Sequence, residues 1–384
     1  MSVMQRAKEL DMLQIRPASI VTWARWRGVA ALIAAHATSG FAASVACPPG
    51  GTDITQAPYA ARADGSKDVS TAFAQAFKDP KVRTICLPPG EYLFTDHVFM
   101  RTGQEVALLG LSDNPADVRI TWKTDINPFH SSPVRGAETR VRGFSVKNVT
   151  FDGHGTDGRA FNLLAAAEPP DTTYVVVENT VFRRTANLPV WIEGFSRVRI
   201  AGSQFLSTKD PGILRSRHVE ILNNVVQDSS DNCLSVSRGN RDVTVARNRL
   251  VNCKSAGIFV GGINYAGNPD KTFELEPLAV MGAGGRCRLR SSDGKFFRYG
   301  MVGTRLTLRR GADFVIVRVD GWDDKDTSQV PCVLETDVPP TLVRQKTNEW
   351  FDGPHFGGDA AVIKDNVIEG SLGHGITVSL GAKD

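Results

Sequence analysis

The chain has 384 residues, 41% of them apolar, enough to bury one or two sizeable cores and to exclude a disordered chain. Its 45 basic and 41 acidic side chains leave a formal charge of +4, and positions 1–46 hold five basic side chains against two acidic ones. The remainder is close to neutral, so composition gives no support for nucleic acid as a partner.

Arg25 and Arg27 precede a short apolar run from Gly28 to Ala35, then small residues and Ser44-Val45-Ala46 just before Cys47. This is the layout of a cleavable secretory signal, so residues 1–46 are expected to be a leader and the protein to be secreted or periplasmic. No other stretch approaches the roughly 18 consecutive apolar residues of a membrane span. The six cysteines permit disulfides in an exported chain. Cys47 with Cys86 would tie the mature N-terminus to the first strand, and Cys287 with Cys332 would lie inside a later interruption. Cys233 shares a repeat column with Gly212, Gly257 and Gly375 and is expected to be a small buried thiol. No pair has the close spacing of a zinc site.

Residues 64–94 read as an opening unit. Asp64-Gly65-Ser66-Lys67-Asp68 leads into an amphipathic helix with Val69, Phe73, Ala76 and Phe77 on one face, capped by Asp68 or Ser70. The strand Thr84-Ile85-Cys86-Leu87, the turn Pro88-Pro89-Gly90 and the strand Glu91-Tyr92-Leu93-Phe94 follow. Asp64-Gly65, the helix and Leu87-Pro88-Pro89-Gly90-Glu91-Tyr92 resemble the start of pectate-lyase-like right-handed parallel β-helix proteins, especially the rhamnogalacturonase and epimerase-type branch. That resemblance implies an all-β solenoid with a helix covering its first coil. It continues through Asn148-Val149-Thr150-Phe151, Asn179-Thr180-Val181-Phe182, Ser203-Gln204-Phe205, Asn224-Val225-Val226, Asn248-Arg249-Leu250 and Asn366-Val367-Ile368. Each places a polar residue before an apolar strand, and stacked asparagines in such columns satisfy turn backbone.

Four segments superimpose further along: Asp210-Pro211-Gly212-Ile213, Asp231-Asn232-Cys233-Leu234, Ser255-Ala256-Gly257-Ile258 and Gly373-His374-Gly375-Ile376. The first three recur every 21 to 24 residues, the signature of a solenoid. Equivalent residues then lie one strand spacing apart, about 4.8 Å, and Asp210 and Asp231 are expected to stack. Between Ile263 and Gly358 the repeat stops. Strand-like runs such as Arg305–Leu308 and Phe314–Val317 suggest a β-rich insertion looped out between coils. Its basic residues, Arg286, Arg288, Arg290, Lys295, Arg298, Arg305, Arg309 and Arg310, read either as a solvated strand face or as a wall that attracts an anionic polymer. The expected organisation is a leader over 1–46, N-terminal coils over 47–262, the insertion over 263–358 and a resumed coil over 359–384. No capping element is visible after that coil, so either the chain is a fragment or another molecule covers it.

Alternation along the strands sends Ile213, Leu234, Ile258 and Ile376 inward and exposes Leu214, Ser235, Phe259 and Thr377, with Trp191 on the coil before. Trp191 and Phe259 are candidates for stacking on sugar rings, with packing under a loop as the alternative. Two stacked carboxylates either split their pKa values, giving an acid and a base, or share a cation such as Ca²⁺; the alternative is a pair of turn aspartates. Ser230-Asp231-Asn232-Cys233-Leu234, Asp210-Pro211-Gly212-Ile213 and Gly373-His374-Gly375-Ile376 resemble polygalacturonase segments. The likeness implies Asp210 and Asp231 as catalytic carboxylates and His374 as a groove histidine. Asn232 stands where that family has a second aspartate, His374 lies two coils from Asp231, and an Arg-Ile-Lys motif is absent. A lyase or epimerase would instead need a base and a cation beside a uronate carboxylate, for which Arg215, Arg217, His218 and Arg238 are candidates. Asp152-Gly153-His154-Gly155-Thr156-Asp157 could contact substrate or Ca²⁺, and Asp352 and His355 sit where the insertion rejoins the coils. The expected function is an exported enzyme that hydrolyses or eliminates an acidic polysaccharide. The alternatives are a non-catalytic β-helix that binds or helps assemble surface polysaccharide, and a uronate C5-epimerase.

Overall fold

The computed structural model describes residues 44–378 except 132–140, 166–171, 215, 238–239, 262, 265–271, 279, 293–304, 311–312, 322–325, 327, 345, 348 and 356–360. The expected leader up to residue 43, together with Arg215 and Arg238, lies outside the described residues.

The chain winds into a parallel β-helix, and its crossovers take the right hand that parallel strands impose. Each coil contributes to three sheets. The first has nine strands, from Thr52–Asp53 through Tyr174–Glu178 and Arg197–Ala201 to Val362–Lys364. The second also has nine, from Asp64–Asp68 through Thr150–Thr156 to Val367–Glu369. The third runs through Val98–Phe99, Phe129–His130, Phe161–Leu164, Val190–Glu193 and Gly212–Leu214. Its ladder then breaks and resumes with Leu234–Ser237, Ile258–Gly261 and Ile376–Val378.

The core is a set of side-chain stacks generated by this register. Phe151, Phe182 and Phe205 are in-register partners on the second sheet, and their rings lie nearly parallel with centroids 5.3 and 4.9 Å apart. The column continues through Val226, Leu250 and Ile368. At the first coils the helix Ser70–Lys78 buries Ala72, Phe73, Ala76 and Phe77. Phe73 and Phe77 pack on Phe129, which shields those coils from water. The N-cap position is Val69, which makes no side-chain cap, and Asp68 accepts from the Ser70 N–H instead at 3.0 Å.

The turn between the first and second sheets carries one left-handed residue per coil: Asn148, Asn179, Gly202, Asn223, Arg247 and Asp365. The expected polar column therefore divides in two. Asn148 and Asn179 occupy the strained position, where asparagine costs little, and Ser203, Asn224, Asn248 and Asn366 form the ladder beside it. In that ladder Asn224 Nδ2 donates to Asn248 Oδ1 at 3.0 Å, and Asn248 Nδ2 donates to Asn366 Oδ1 at 2.9 Å. Asn248 Nδ2 also reaches the Ile221 carbonyl, and its Oδ1 accepts the Asn224 N–H.

Disulfides join Cys47 to Cys86, Cys287 to Cys332 and Cys233 to Cys253. The last corrects the expectation of a free Cys233 thiol. Its side chain is buried, but the turn of the next coil brings Cys253 against it, a proximity that the spacing of the repeat does not express. Between Ile263–Asn264 and Glu349–His355 the strands pair antiparallel in a separate eight-stranded sheet. That sheet has its own core of Phe273, Leu275, Leu289, Leu306, Val317 and Leu334. Arg288, Arg290 and Arg344 converge on Glu276 at 3.6, 3.7 and 3.2 Å, and Arg318 lies 3.4 Å from Asp320 and 3.3 Å from Glu335. Arg288 and Arg290 of the basic run are thus compensated within the sheet, while Lys295 and Arg298 and the side chains of Arg305, Arg309 and Arg310 fall outside the described residues. Among the described residues no helix is long and apolar enough to cross a membrane.

Replacing Asn248 by alanine removes four hydrogen bonds at once, three of them buried, and is expected to destabilise the solenoid by about 3 kcal/mol. Urea unfolding of the variant against the parent and against Gln204→Ala, an exposed strand residue, checks this; a midpoint equal to theirs would remove the ladder from the list of stabilising interactions.

Candidate functional site

The outward face of the third sheet gathers the aromatic and polar groups best placed to meet a long ligand. Register places Phe99, His130, Asn162, Trp191 and Gly212 in one column, each a coil apart. All four side chains are half-buried. Gly212 gives the column its shape, since an added Cβ there would lie 2.9 Å from the Val190 carbonyl and 3.5 Å from the Trp191 ring. The Trp191 indole N–H donates to Glu193 Oε2 at 3.0 Å, and the Arg159 guanidinium lies 5.0 Å over the ring centroid. Glu193 is only 5% exposed. Asn162 Nδ2 lies 3.2 Å from His130 Nε2. The His97 ring stacks on Phe99, and its Nδ1 accepts the Asn127 N–H at 3.1 Å. Burial, then repulsion from His97 and Arg159, lowers the pKa of His130 to about 4. Its imidazole is therefore neutral near pH 7 and serves in hydrogen bonding rather than as a proton carrier.

Asp210 and Asp231 are neighbours, as the repeat implies. The Ser230 N–H donates to the Thr208 carbonyl with the same offset by which Val225 bonds to Ser203, so Asp231 follows Asp210 in the column. Their side chains diverge. Asp210 is 2% exposed, whereas Asp231 is exposed, so the two are not presented together to a ligand. Leu214 and Ser235, expected on the open face, are also buried. Alternation assigns a residue to a face but says nothing of what lies over that face. Asn232 is structural: its Oδ1 accepts the Ala256 N–H at 3.0 Å. Ile213, Leu234 and Ile258 point into the core, while Ile376, on the last described coil, is 50% exposed.

His374 is exposed and continues the column of Asn232 and Ala256, two coils beyond Asp231; its carbonyl accepts the Gly257 N–H. Phe259 is half-buried between Ser235 and Thr377, one column over from that of Trp191. Arg217 stands at the corner leading back to the first sheet, half-buried, with its Nε sealed from solvent. His218 turns onto the first sheet, where its Nδ1 lies 3.1 Å from Asp242 Oδ2. Asp152 and His154 do not open onto a ligand site either. The Asp152 carboxylate is fully buried between Arg183 and Arg184, and it also accepts the His154 N–H. Burial alone would raise its pKa, but these hydrogen bonds and charges hold it below the ordinary value. Its negative charge is already matched, which does not fit a calcium ligand, and among the described residues no three His, Cys, Asp or Glu side chains converge on one point. The side chains of Asp352 and His355 lie outside the described residues.

His97, Phe99, His130, Arg159 and Asn162 escaped the sequence reading because the early coils are 29 to 32 residues long rather than 21 to 24. The signal available was the register itself: Trp191 counted back by one coil length reaches Asn162 and, by another, His130.

A family model described as the right handed beta helix region matches residues 146–268. No curated protein matches the chain. Among solved structures, the chain is similar to PfbA, a surface adhesin of Streptococcus pneumoniae, at 15% identity and a TM-score of 0.38, covering 55% of this chain and 60% of that one. It is similar to the Azotobacter vinelandii mannuronan C-5 epimerase AlgE6 A-module at 19% identity and a TM-score of 0.32, covering 54% and 66%. It is also similar to Pantoea stewartii WceF, a glycan biofilm modifying enzyme with a tailspike-like parallel β-helix, at 10% identity and a TM-score of 0.37, covering 79% and 61%. The chain thus spans less than two thirds of the length of each of these three.

The lowered pKa of His130 carries a stability consequence. The unfolded chain takes up this proton near the ordinary 6.5 and the folded chain only near 4, so between those values the unfolded state binds more protons. Stability that is complete above pH 6.5 is expected to fall towards pH 4 by up to about 3 kcal/mol. His130→Gln should flatten this decline in urea midpoints measured at pH 7 and pH 4.5; an unchanged decline would assign it to other groups.

Proposed function

We propose that this protein is exported and binds an extended acidic polysaccharide along the outward face of the third sheet. The observation that carries the reading is the pairing of Trp191 with Arg159. The guanidinium held 5.0 Å over the ring covers one face of the indole and complements a uronate carboxylate, while the ring's remaining apolar surface complements the body of the sugar. Asn162 and His130 extend the same column by two coils with hydrogen-bonding groups, which suits a ligand with hydroxyls at regular intervals. Export is supported by the three disulfides, since such bonds persist in oxidising compartments.

Chemistry on the bound chain is the second reading, favoured by the exposure of both Asp231 and His374 on later coils of the same side. Elimination or epimerisation at a uronate suits this pair better than hydrolysis, because Asp210, the second carboxylate that hydrolysis would require, is buried.

Trp191→Ala and Arg159→Gln are each expected to weaken binding to a uronate polymer about tenfold in affinity electrophoresis, with little change for a neutral polymer in the arginine variant. Unchanged mobility of both variants on every acidic polymer would overturn the binding assignment. For the catalytic reading, incubation with uronate polymers should yield unsaturated ends absorbing in the ultraviolet or an altered sugar configuration, lost in Asp231→Asn. New reducing ends without absorbance would instead indicate hydrolysis.

A further inference from the structure

The outer face of the first sheet holds a concavity of about 730 Å³, within the range of roughly 300–1,000 Å³ usual for ligand clefts. It faces away from the column of Trp191, since its walls come from successive strands of a different sheet. Tyr174, Arg197, Arg199, His218, Glu220 and Asp242 supply its polar groups. Most of these are committed to one another. Arg199 Nη1 lies 2.7 Å from Glu220 Oε2 and its Nε 3.6 Å from Glu178 Oε1, and His218 is held by Asp242. Arg197 differs: it is exposed, makes no ion pair among the described residues, and is the direct register partner of Tyr174. Val176, one position along the same outward face, adds an apolar floor beside the phenol ring.

These groups define a ligand. An uncompensated guanidinium asks for a carboxylate, the Tyr174 and Val176 surface for the apolar face of a ring, and the Glu220 and Asp242 carboxylates for hydroxyl donors around it. We propose that this concavity is a second binding site for an acidic sugar, with Arg197 taking its carboxylate, so that the solenoid holds acidic saccharide on two separate sheets. The ligand class is shared with the proposed groove, but the residues are not, so either site can fail alone.

Titration calorimetry of the full chain with a uronic acid trisaccharide, on the parent, Trp191→Ala, Arg197→Gln and the double variant, tests this. Two classes of site are expected in the parent. Arg197→Gln should weaken one of them at least tenfold and leave the Trp191-dependent class within twofold, with an unchanged melting temperature showing that the coils are intact. Tyr174→Ala, which removes the ring, should weaken the same class more modestly, and a neutral trisaccharide should show no Arg197-dependent binding. A single class abolished by Trp191→Ala, or affinities unaltered by Arg197→Gln, would overturn the second site and leave the groove standing. A single class abolished by Arg197→Gln and unaltered by Trp191→Ala would do the reverse. Equal Arg197-dependent binding of the neutral sugar would overturn the acidic ligand class.

Discussion

The register between successive coils is the constraint from which the rest of the molecule follows. Parallel pairing at one strand spacing forces each side chain to meet its counterpart about 4.8 Å above and below, so a residue type repeated at the coil period becomes a continuous physical object. The Phe151, Phe182 and Phe205 stack, the Asn224, Asn248 and Asn366 ladder and the outward column from Phe99 to Trp191 are three such objects. The first contributes apolar burial. In the second, each asparagine accepts a turn N–H and donates to a strand carbonyl of the coil before it. The third leaves its polar and aromatic groups at a surface, where a chain molecule of similar periodicity can lie along them.

Electrostatics divides the polar groups into those locked inside the fold and those available to a ligand. Asp152 is fully buried but is gripped by two arginines, and this satisfied arrangement holds one coil's strand against the next. In the insertion, Glu276 draws three arginines together and turns what reads as an open basic strand into a partly compensated network. Arg197 falls on the other side of the division, exposed beside a tyrosine, while Arg159 lies on an aromatic ring at the surface.

The winding was legible because its period is written in apolar residues, and so were the opening helix and the inward set Ile213, Leu234 and Ile258. The adjacency of Asp210 and Asp231 was legible for the same reason. Their accessibility was not, since spacing fixes which backbones are neighbours while burial depends on what the intervening turns place over them. Cys233 failed differently. Its column suggested a small buried residue, which it is, but its partner Cys253 belongs to a turn outside the repeat. His218 was assigned to the groove by proximity in sequence, yet a corner of a few residues is enough to carry it onto another sheet. Arg159 and His130 were hidden by the longer early coils.

The bond between Cys233 and Cys253 lies beside the interruption in the third sheet's ladder, between Gly212–Leu214 and Leu234–Ser237. A solenoid is a one-dimensional stack whose turns come loose in sequence from an end, each held only by its neighbours. Where hydrogen bonding lapses on one side, such a zipper is most easily opened, and the covalent bond fastens the coil just after the lapse to the turn that begins the following coil, so that peeling from the far end meets a crosslink before it reaches the weak point. Reduction would therefore let fraying from that end run on to the lapse, where only the two unbroken sheets still join one coil to the next.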